Sequence, residues 1–296
     1  MKSGSIQKAQ LIIPMSGNGS RFVAAGYSTL KPLIMVHHLR MVEWVIKAFL
    51  GQANHKATQN PIKRIVFICR QNHLQQYSNM REILLKSVDK VSEISKDIEI
   101  EIVELTQNVE KDYPSQKGPV AALSLAKEFI LNEIPTIVSY CDYYMRWDID
   151  KFWELASNTQ CDGALPCYTG FHPHLIPNHN VYASCKIDSQ NNLIEIREKY
   201  SFSQNKEEAL HSPGTYYFRR GDLLKHYVAE ALLRDDMATG GEHFVSLLYN
   251  LMVQDSKSVK IWPIVDKFCQ WGTPEDLSEY LFWTNSLLTQ KIEINM

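Results

Sequence analysis

Two glycines and two cations near the amino terminus have the types and the spacing of a phosphate-binding site. Gly17 and Gly19 follow a short apolar segment, and Arg21 and Lys31 stand ten residues apart directly after them. Glycines at alternate positions let the backbone turn sharply and approach a ligand, and the N–H groups at the start of a following helix favour an anion. An arginine and a lysine add positive charge beside the loop, so this stretch predicts a polyphosphate site.

The spacing of this loop differs from that of two common nucleotide-binding motifs. A Walker loop needs G-x-x-x-x-G-K-[ST], and neither Lys-Ser nor Lys-Thr follows the two glycines. The dinucleotide motif needs a third glycine at position 22, which is Phe22 here, and an acidic residue about twenty positions later at the end of a second strand. Glu43 lies near that distance, but it belongs to a helical pattern. The loop therefore predicts neither of these sites.

The run G-x-G-S-R-F followed by K-P-L, within residues 17–33, resembles the signature of the sugar-phosphate nucleotidylyltransferases of the glucose-1-phosphate thymidylyltransferase type. The resemblance covers roughly residues 10–280, is strongest at 12–33 and 268–277, and indicates a divergent branch. It implies a glycosyltransferase-A-like α/β fold. It also implies a reaction in which an NTP and a phosphorylated acceptor give a nucleotide-linked product and pyrophosphate.

This resemblance implies roles for individual residues. Arg21 and Lys31 would bind and polarise the triphosphate, and Asp142 stands just past a buried strand, where the family keeps a metal-binding aspartate. Mg²⁺ is the implied cofactor, since a hard cation prefers oxygen ligands of this kind. The implied catalytic residues are therefore Arg21, Lys31 and Asp142. The implied nucleotide-binding residues are Met15, Ser16, Gly17, Asn18, Gly19, Ser20, Gln116 and Gly118, the last two at the nucleobase.

The metal site departs from the family pattern. The family usually supplies a second metal aspartate in a motif ending D-x-G-T, and the matching position in this chain is Gln270. A glutamine carbonyl oxygen would bind a divalent cation more weakly than a carboxylate does. Either Asp142 suffices together with water and phosphates, or Asp266 reaches the site from a shifted position, and Gln270 itself stays a weak candidate ligand.

Further resemblances concern the acceptor. Glu198 and Lys199 resemble the family's E-K element, whose lysine contacts the acceptor phosphate, and Gly214 opens a run that resembles the G-x-Y-x-F strand over the acceptor. The implied acceptor-binding residues are Glu198, Lys199, Gly214 and Trp271. The loop TGFHPHLIPNHN is expected to form the rim of this pocket rather than a zinc site, because no cysteine or carboxylate completes a tetrahedral set with its histidines. These histidines are His172, His174 and His179.

Hydrophobic periodicity predicts the elements that position these residues. Buried-strand patterns alternate with helical patterns, which predicts an α/β fold with a mixed, mainly parallel central sheet and helices on both faces. Ligand sites of such sheets lie at the carboxyl ends of the strands. The strand patterns lie at residues 11–15, 64–69, 98–105 and 136–140.

We interpret residues 8–290 as a single nucleotidyltransferase domain. Residues 8–168 are its predicted nucleotide-binding core. Hairpin patterns at 169–220, including 215–218, predict a small antiparallel insertion on the acceptor side. Residues 221–290 are predicted to be mainly helical, with helices opened by Gly221 and by Gly240-Gly241-Glu242, a late strand at 259–265 and a C-terminal helix that forms a cap.

Composition limits the partners and the compartment. The formal net charge of −2 gives no global field that would attract nucleic acid or an anionic membrane. Six cysteines without C-x-x-C spacing lie mostly in apolar segments, which is typical of reduced thiols in a cytoplasmic protein. The amino terminus shows no apolar targeting segment, and no apolar run approaches the roughly eighteen residues that span a bilayer. A cytoplasmic enzyme is the expectation.

The expected activity is transfer of a nucleotidyl group from CTP, dTTP or UTP to a phosphorylated small molecule, with a sugar 1-phosphate first, for bacterial surface polysaccharide such as capsule. Three alternatives stay open at this point. They are a cytidylyltransferase for a non-sugar phosphate or phosphonate, a glycosyltransferase that uses an NDP-sugar, and an inactive regulatory homologue, for which Gln270 is the best argument. A glycosyltransferase would need a D-x-D metal-binding motif, and the sequence Cys-Asp-Tyr-Tyr at 141–144 does not provide one. The oligomeric state is open, a homo-oligomer included.

Overall fold

The computed structural model describes residues 8–50, 60–92, 97–106, 118–178 and 180–294. The strands are β1 (Ala9–Pro14), β2 (Met35–Val36), β3 (Leu39–Arg40), β4 (Ile62–Arg70), β5 (Glu99–Leu105), β6 (Thr136–Ser139), β7 (Tyr143–Trp147), β8 (Gly163–Pro166), β9 (Ser184–Ile187), β10 (Leu193–Arg197), β11 (Leu210–His211), β12 (Thr215–Phe218), β13 (Ala238–Thr239), β14 (Glu242–His243), β15 (Val259–Trp262) and β16 (Val265–Gln270). The α-helices are α1 (Ser20–Ala24), α2 (Met41–Leu50), α3 (Gln71–Gln76), α4 (Met80–Val91), α5 (Pro119–Leu125), α6 (Ile149–Thr159), α7 (Gly221–Leu232), α8 (Leu248–Gln254) and α9 (Pro274–Ile294).

A seven-stranded sheet in the order β15-β8-β12-β6-β1-β4-β5 forms the centre of the molecule. Strand β1 pairs in parallel with β4 and β6, β4 pairs in parallel with β5, and β15 pairs in parallel with β8. The prediction of a mixed, mainly parallel sheet is confirmed. Helices cover both faces of the sheet. Because β1, β4 and β6 run parallel, their carboxyl ends meet at one edge, and the predicted site residues follow there.

Alternate residues of the central strands face two separate cores. Leu11 and Ile13 of β1 belong to one buried cluster with α2 and α4, whereas Ile12 belongs to a second cluster with α5, α7 and α8. All six residues of β1 are buried, which explains why its sequence reads as a continuous apolar run. Because both faces of this strand are buried, the loop that follows it starts from a firmly held position.

The strand β12 corrects one detail of the prediction. Residues 215–218 were expected in the antiparallel insertion, but β12 lies in the central sheet, antiparallel to both β6 and β8. The smaller sheet beside it consists of β10, β9 and β11. Pairing with β6 explains the burial of all four residues of β12.

The helix predicted to open at Gly240 is also corrected. Residues 238–243 form the hairpin of β13 and β14, with Gly240 and Gly241 at positive φ in its turn, and α8 begins only at Leu248. Glycines that occupy the left-handed region suit a tight hairpin turn better than a helix start. The predicted C-terminal helix is present as α9, and none of the described helices is long and apolar enough to cross a membrane.

Candidate active site

A cavity of about 390 Å³ opens at the carboxyl ends of β1, β4 and β6. Most of the residues implied by the glycine-loop resemblance meet there: its lining includes Met15, Ser16, Gly17, Asn18, Gly19, Ser20, Arg21, Lys31, Gly118 and Asp142. Gln116 lies outside the described residues. We call this space the nucleotide cavity, after the role that the sequence resemblance implies for its residues.

The glycine loop runs from the end of β1 to the start of α1. The Met15 amide donates to the Ile68 carbonyl at 2.8 Å, which extends the pairing of β1 with β4 into the loop. Gly19 has φ +61° and precedes α1, and a Cβ atom at this position would lie 3.3 Å from the Lys31 Cβ. Glycine therefore lets the loop turn while Lys31 packs directly against it.

Lys31 and Asp142 form a close charge pair in the wall of the nucleotide cavity. The Lys31 Nζ donates to Asp142 Oδ2 at 2.6 Å and to the Gly272 carbonyl at 2.9 Å. The two side chains are 15% and 27% exposed, so each is partly shielded but open to a ligand. The Trp271 amide donates to the Asp142 carbonyl at 2.9 Å, which fixes the backbone that carries this carboxylate. A charge-assisted bond of this kind is short and strong.

Gly118 brings the start of α5 against the β13–β14 hairpin. Its φ is +91°, and a Cβ atom here would lie 2.8 Å from the carbonyl oxygen of His243. Glu242, the strand residue before His243, lines the nucleotide cavity together with Gly118. The hairpin can therefore close this side of the cavity only because residue 118 has no side chain.

Replacing Gly118 with alanine should displace the hairpin. We expect the free energy of unfolding to fall by about 1–3 kcal/mol, since backbone strain and a steric clash coincide at this position. Gly26 is a matched control, because its φ is +87° and nothing lies within 4 Å of a Cβ built on it. Urea unfolding of the two variants measures the difference. Equal losses for Gly118→Ala and Gly26→Ala would show that the contact with His243 costs nothing.

A second cavity, of about 750 Å³, adjoins the first. Arg21, Glu242 and Phe244 line both, so the two spaces meet at these side chains. Lys199 lines the second cavity with a φ of +53°, a conformation that non-glycine residues rarely adopt. Such strain persists where the surrounding structure imposes it, often at ligand sites. We call this space the acceptor cavity.

Comparison with known proteins gives matches at the level of structure. No family model matches this chain, and neither does any curated protein sequence. A nucleoside-diphosphate-sugar pyrophosphorylase from Vibrio cholerae RC9 superposes with a TM-score of 0.65 at 20% identity, over 92% of this chain and 99% of that one. A UDP-glucose pyrophosphorylase complexed with UDP-glucose gives a TM-score of 0.67 at 15% identity, over 95% and 99%. The chain has the fold of the sugar-nucleotide pyrophosphorylases.

Within this pyrophosphorylase fold, two predicted acceptor residues lie behind the cavities. Glu198 lines neither of the two cavities; it is half-buried, and the Ser246 hydroxyl donates to its carboxylate. Burial raises the pKa of Glu198 to about 7. Gly214 has φ +92° and packs against the Tyr140 ring, which a Cβ atom here would approach to 2.9 Å. Of the E-K pair, only Lys199 faces the acceptor cavity.

The raised pKa of Glu198 makes stability depend on pH. The folded state holds this proton up to about pH 7, whereas the unfolded chain releases it near the ordinary glutamate pKa of 4.5. The contribution of the protonated carboxyl to the free energy of unfolding is therefore fully present below pH 4.5 and is lost as the pH rises to 7. We expect the free energy of unfolding of Glu198→Gln, taken relative to that of the parent protein, to increase by roughly 1–3 kcal/mol when the pH is raised from 4.5 to 8. Urea unfolding at both pH values tests this, and parallel pH profiles would contradict it.

Trp271 and the alternative metal ligands do not reach the cavities. Trp271 is fully buried and packs against Trp44 and Tyr280, with ring centroids 6.3 and 5.4 Å away, so its assignment to the acceptor is corrected. Gln270 is 8% exposed, and its Nε2 donates to the carboxylate of Asp276 at 2.8 Å. These contacts orient the two side chains toward the core and α9.

The side chain of Asp266 is 67% exposed and lies 3.7 Å from Arg146, so the proposal that it reaches the site is also wrong. Of the three candidate metal ligands, Asp142 alone lines the nucleotide cavity. It is an anionic oxygen donor, which suits a hard cation. The single remaining carboxylate fits the way Mg²⁺ is often held, by one or two carboxylates with water and substrate phosphates.

Two histidines of the loop before β9, His172 and His174, lie in a core rather than at a rim. His172 and His174 are 6% and 8% exposed, and both pack against the ring of Tyr168. Burial lowers the pKa of His174 to about 3, which keeps it neutral. His179 lies outside the described residues. These imidazoles complete a cluster of aromatic rings with Tyr168 and Phe268, and this desolvation explains why they do not form a pocket rim.

Arg70, Glu242 and Phe244 are among the cavity residues that sequence reasoning missed. Arg70 lines the nucleotide cavity and is the last residue of β4, so its place at the carboxyl end of a strand was a usable signal. Glu242 and Phe244 line both cavities, but they were assigned to a helix. The hairpin turn Gly240-Gly241 was the signal for the correct assignment.

Proposed function

We propose that this chain is a nucleotidylyltransferase that joins an NTP to a phosphorylated acceptor and releases pyrophosphate. The observation that carries the proposal is the Lys31–Asp142 pair beside the glycine loop, in a cavity that opens into a second cavity at Arg21. A site for two phosphorylated substrates needs this arrangement, since their reacting groups must meet. The pyrophosphorylase fold supports the same activity.

The reaction needs positioning and charge neutralisation rather than a protein nucleophile. An oxygen of the acceptor phosphate attacks the α-phosphorus of the NTP, and the bond from that phosphorus to the bridging oxygen of pyrophosphate breaks. Lys31 would exchange its bond with Asp142 for one to a phosphate oxygen. Arg21, exposed at the junction of the cavities, would neutralise charge where the new bond forms.

Asp142 is the residue that would hold Mg²⁺, with water and substrate phosphates as the other ligands. When bound, the cation supplies positive charge that polarises the phosphate oxygens. Once Lys31 has turned to the triphosphate, the Asp142 carboxylate stays in the cavity wall, because the Asp142 backbone carbonyl accepts a hydrogen bond from the Trp271 amide. The protein therefore contributes one anionic ligand and one mobile cation at the same place.

The acceptor we propose is a sugar 1-phosphate. Lys199 supplies a cation for the phosphate, and amide and hydroxyl groups of Asn178, Asn180 and Ser201 line the same cavity and suit a polyhydroxylated molecule. The nucleoside-diphosphate-sugar and UDP-glucose specificities of the structural neighbours support this class. We further propose a pyrimidine NTP, CTP, UTP or dTTP, and a role in surface polysaccharide synthesis.

The decisive experiment measures pyrophosphate. The purified chain is incubated with Mg²⁺, with each of ATP, GTP, CTP, UTP and dTTP in turn, and with a panel of sugar 1-phosphates, phosphorylated amino alcohols and phosphonates. The products are identified by mass spectrometry. We expect pyrophosphate and an NDP-sugar from one pairing. An NDP-linked non-sugar would identify the cytidylyltransferase alternative. Transfer from an NDP-sugar without any pyrophosphate would indicate a glycosyltransferase, and nucleotide binding without turnover would indicate a regulatory homologue.

A further inference from the structure

Lys199 reaches from the chain after β10 to the turn of the β13–β14 hairpin. Its Nζ lies 3.8 Å from a Cβ atom built on Gly240 in that turn. Lys199 lines the acceptor cavity together with Glu242 and Phe244, which follow the turn on the same segment. The place of this ammonium in the cavity therefore depends on how the chain after β10 lies against the hairpin segment.

The backbone that carries Lys199 has a conformation that its surroundings must hold. Its φ of +53° lies in the left-handed region, which costs free energy for a residue with a Cβ atom. On the amino-terminal side, two hydrogen bonds hold β10 against α8. The Ile196 amide donates to Asn250 Oδ1 at 3.0 Å, and Asn250 Nδ2 donates to the Ile196 carbonyl at 2.9 Å. These bonds fix the strand three residues before Lys199.

A further hydrogen bond holds the residue directly before Lys199. The Ser246 hydroxyl donates to Glu198 Oε1. Ser246 is fully buried and Glu198 is half-buried, so water competes little for this bond. Ser246 belongs to the helical turn Val245–Leu247, which directly follows Phe244. The bond therefore joins the segment that carries Lys199 to the segment that carries the hairpin residues of the same cavity.

Glu198 and Ser246 act on the cavity from behind it. Neither residue lines the nucleotide cavity or the acceptor cavity. The two segments meet at the Glu198–Ser246 bond and again where the Lys199 Nζ lies over Gly240. Since the first contact is one residue away from Lys199, breaking it would let the strained backbone relax and would shift the ammonium.

We propose that the Glu198–Ser246 hydrogen bond positions the Lys199 ammonium for the acceptor phosphate, so that Glu198 and Ser246 are positioning residues of the acceptor site. Ser246 needs an acceptor oxygen at residue 198 rather than a negative charge. A glutamine supplies that oxygen. This inference rests on the proposed function, because Lys199 has this role only if the chain takes a phosphorylated acceptor.

The test measures steady-state kinetics at pH 7 with the pair of NTP and acceptor that releases pyrophosphate in the assay described above. The proteins are the parent chain, Ser246→Ala, Glu198→Ala, Glu198→Gln, Lys199→Met, the double variant Lys199→Met/Ser246→Ala and the control Ser87→Ala. Ser87 is also a fully buried serine, and its hydroxyl donates to the Leu84 carbonyl at 2.6 Å. It lies on α4, outside the residues that line either cavity.

For Ser246→Ala and Glu198→Ala we expect the KM of the acceptor to rise about 5- to 20-fold, while kcat and the KM of the NTP change less than about threefold. Lys199→Met should raise the KM of the acceptor about 10- to 100-fold, as for loss of a hydrogen bond from a charged group. Adding Ser246→Ala to Lys199→Met should raise it less than about twofold further, because both changes act on one interaction. Glu198→Gln and Ser87→Ala should match the parent protein.

Three results would overturn the inference while leaving the proposed function intact. A loss in Glu198→Gln as large as in Glu198→Ala would show that the charge of Glu198 itself acts on the acceptor. Full additivity of Ser246→Ala with Lys199→Met would show that the bond does not act through Lys199. A parent-like KM of the acceptor in Ser246→Ala, which also serves as the test if Glu198→Ala does not fold, would show that the bond has no such role. Failure of the parent chain to release pyrophosphate with any pair would instead contradict the proposed function itself.

Discussion

Replacing Lys31 with methionine should lower the kcat for pyrophosphate release by about 100- to 1,000-fold, the usual effect of removing one donor aimed at developing charge. Lys31 is placed for this role because its Nζ reaches both Asp142 and the Gly272 carbonyl from a position packed against Gly19. Methionine keeps the length and the packing of the side chain but removes its charge. The effect should therefore fall on turnover more than on the binding of the acceptor.

The matched control for this substitution is Lys225→Met. Lys225 lies on α7, and its Nζ donates to Asn132 at 2.8 Å, away from the residues that line the two cavities. We expect full activity from this variant. Thermal unfolding of both proteins should give midpoints close to that of the parent chain, because the Asp142 side chain is 27% exposed and can be solvated. Turnover by Lys31→Met within threefold of the parent rate would show that Lys31 has no part in the chemistry.

The parts of the fold that sequence could predict carry local signals. Strands β1, β4 and β6 are buried on both faces, so each reads as an apolar run of its own. The glycine loop is recognisable because alternate glycines and two cations occupy a short stretch between a strand and a helix. Since parallel strands end at a common edge, these local signals also bring Asp142 to Lys31.

The parts that sequence could not predict depend on partners far along the chain. The strand β12 reads as part of a hairpin series, and only its pairing with β6, more than seventy residues earlier, places it in the central sheet. Trp271 stands beside a turn that resembles a binding motif, but Trp44 and Tyr280 enclose it. A residue's type and neighbours in sequence do not show which side chains will pack around it.

The position of Gln270 shows how this site differs from a two-carboxylate one. Its Nε2 donates to Asp276, and its Oε1 is buried without a hydrogen-bond partner among the described residues. Asp276 in turn accepts from the Thr273 hydroxyl at 2.8 Å at the start of α9, and burial raises its pKa. This carboxylate is therefore tied to the helix start, which leaves Asp142 as the anionic group beside Lys31.

Asp142→Asn should consequently remove most of the proposed activity by itself. Asparagine has nearly the same shape, but it carries no charge to hold Mg²⁺ or to orient the Lys31 ammonium. We expect kcat to fall about 100-fold or more, since metal-ion stabilisation of phosphoryl charge contributes several kcal/mol. Titration with Mn²⁺, followed by its electron paramagnetic resonance signal in the presence of a non-reactive NTP analogue, should show weaker metal binding by the variant.

The comparison with Asp148→Asn distinguishes a role in the chemistry from a general effect of removing a carboxylate. Asp148 caps α6, where its Oδ1 accepts from the Lys151 amide at 2.8 Å. Asparagine is also a good N-cap, so this variant should keep both its stability and its turnover. If Asp142→Asn retained its rate and its affinity for Mn²⁺, a second carboxylate would have to hold the metal. Asp276 would then be the candidate, because its Oδ2 and that of Asp142 lie 4.0 and 3.9 Å from a Cβ atom built on Gly272, and its hydrogen bonds to Gln270 and Thr273 would have to break.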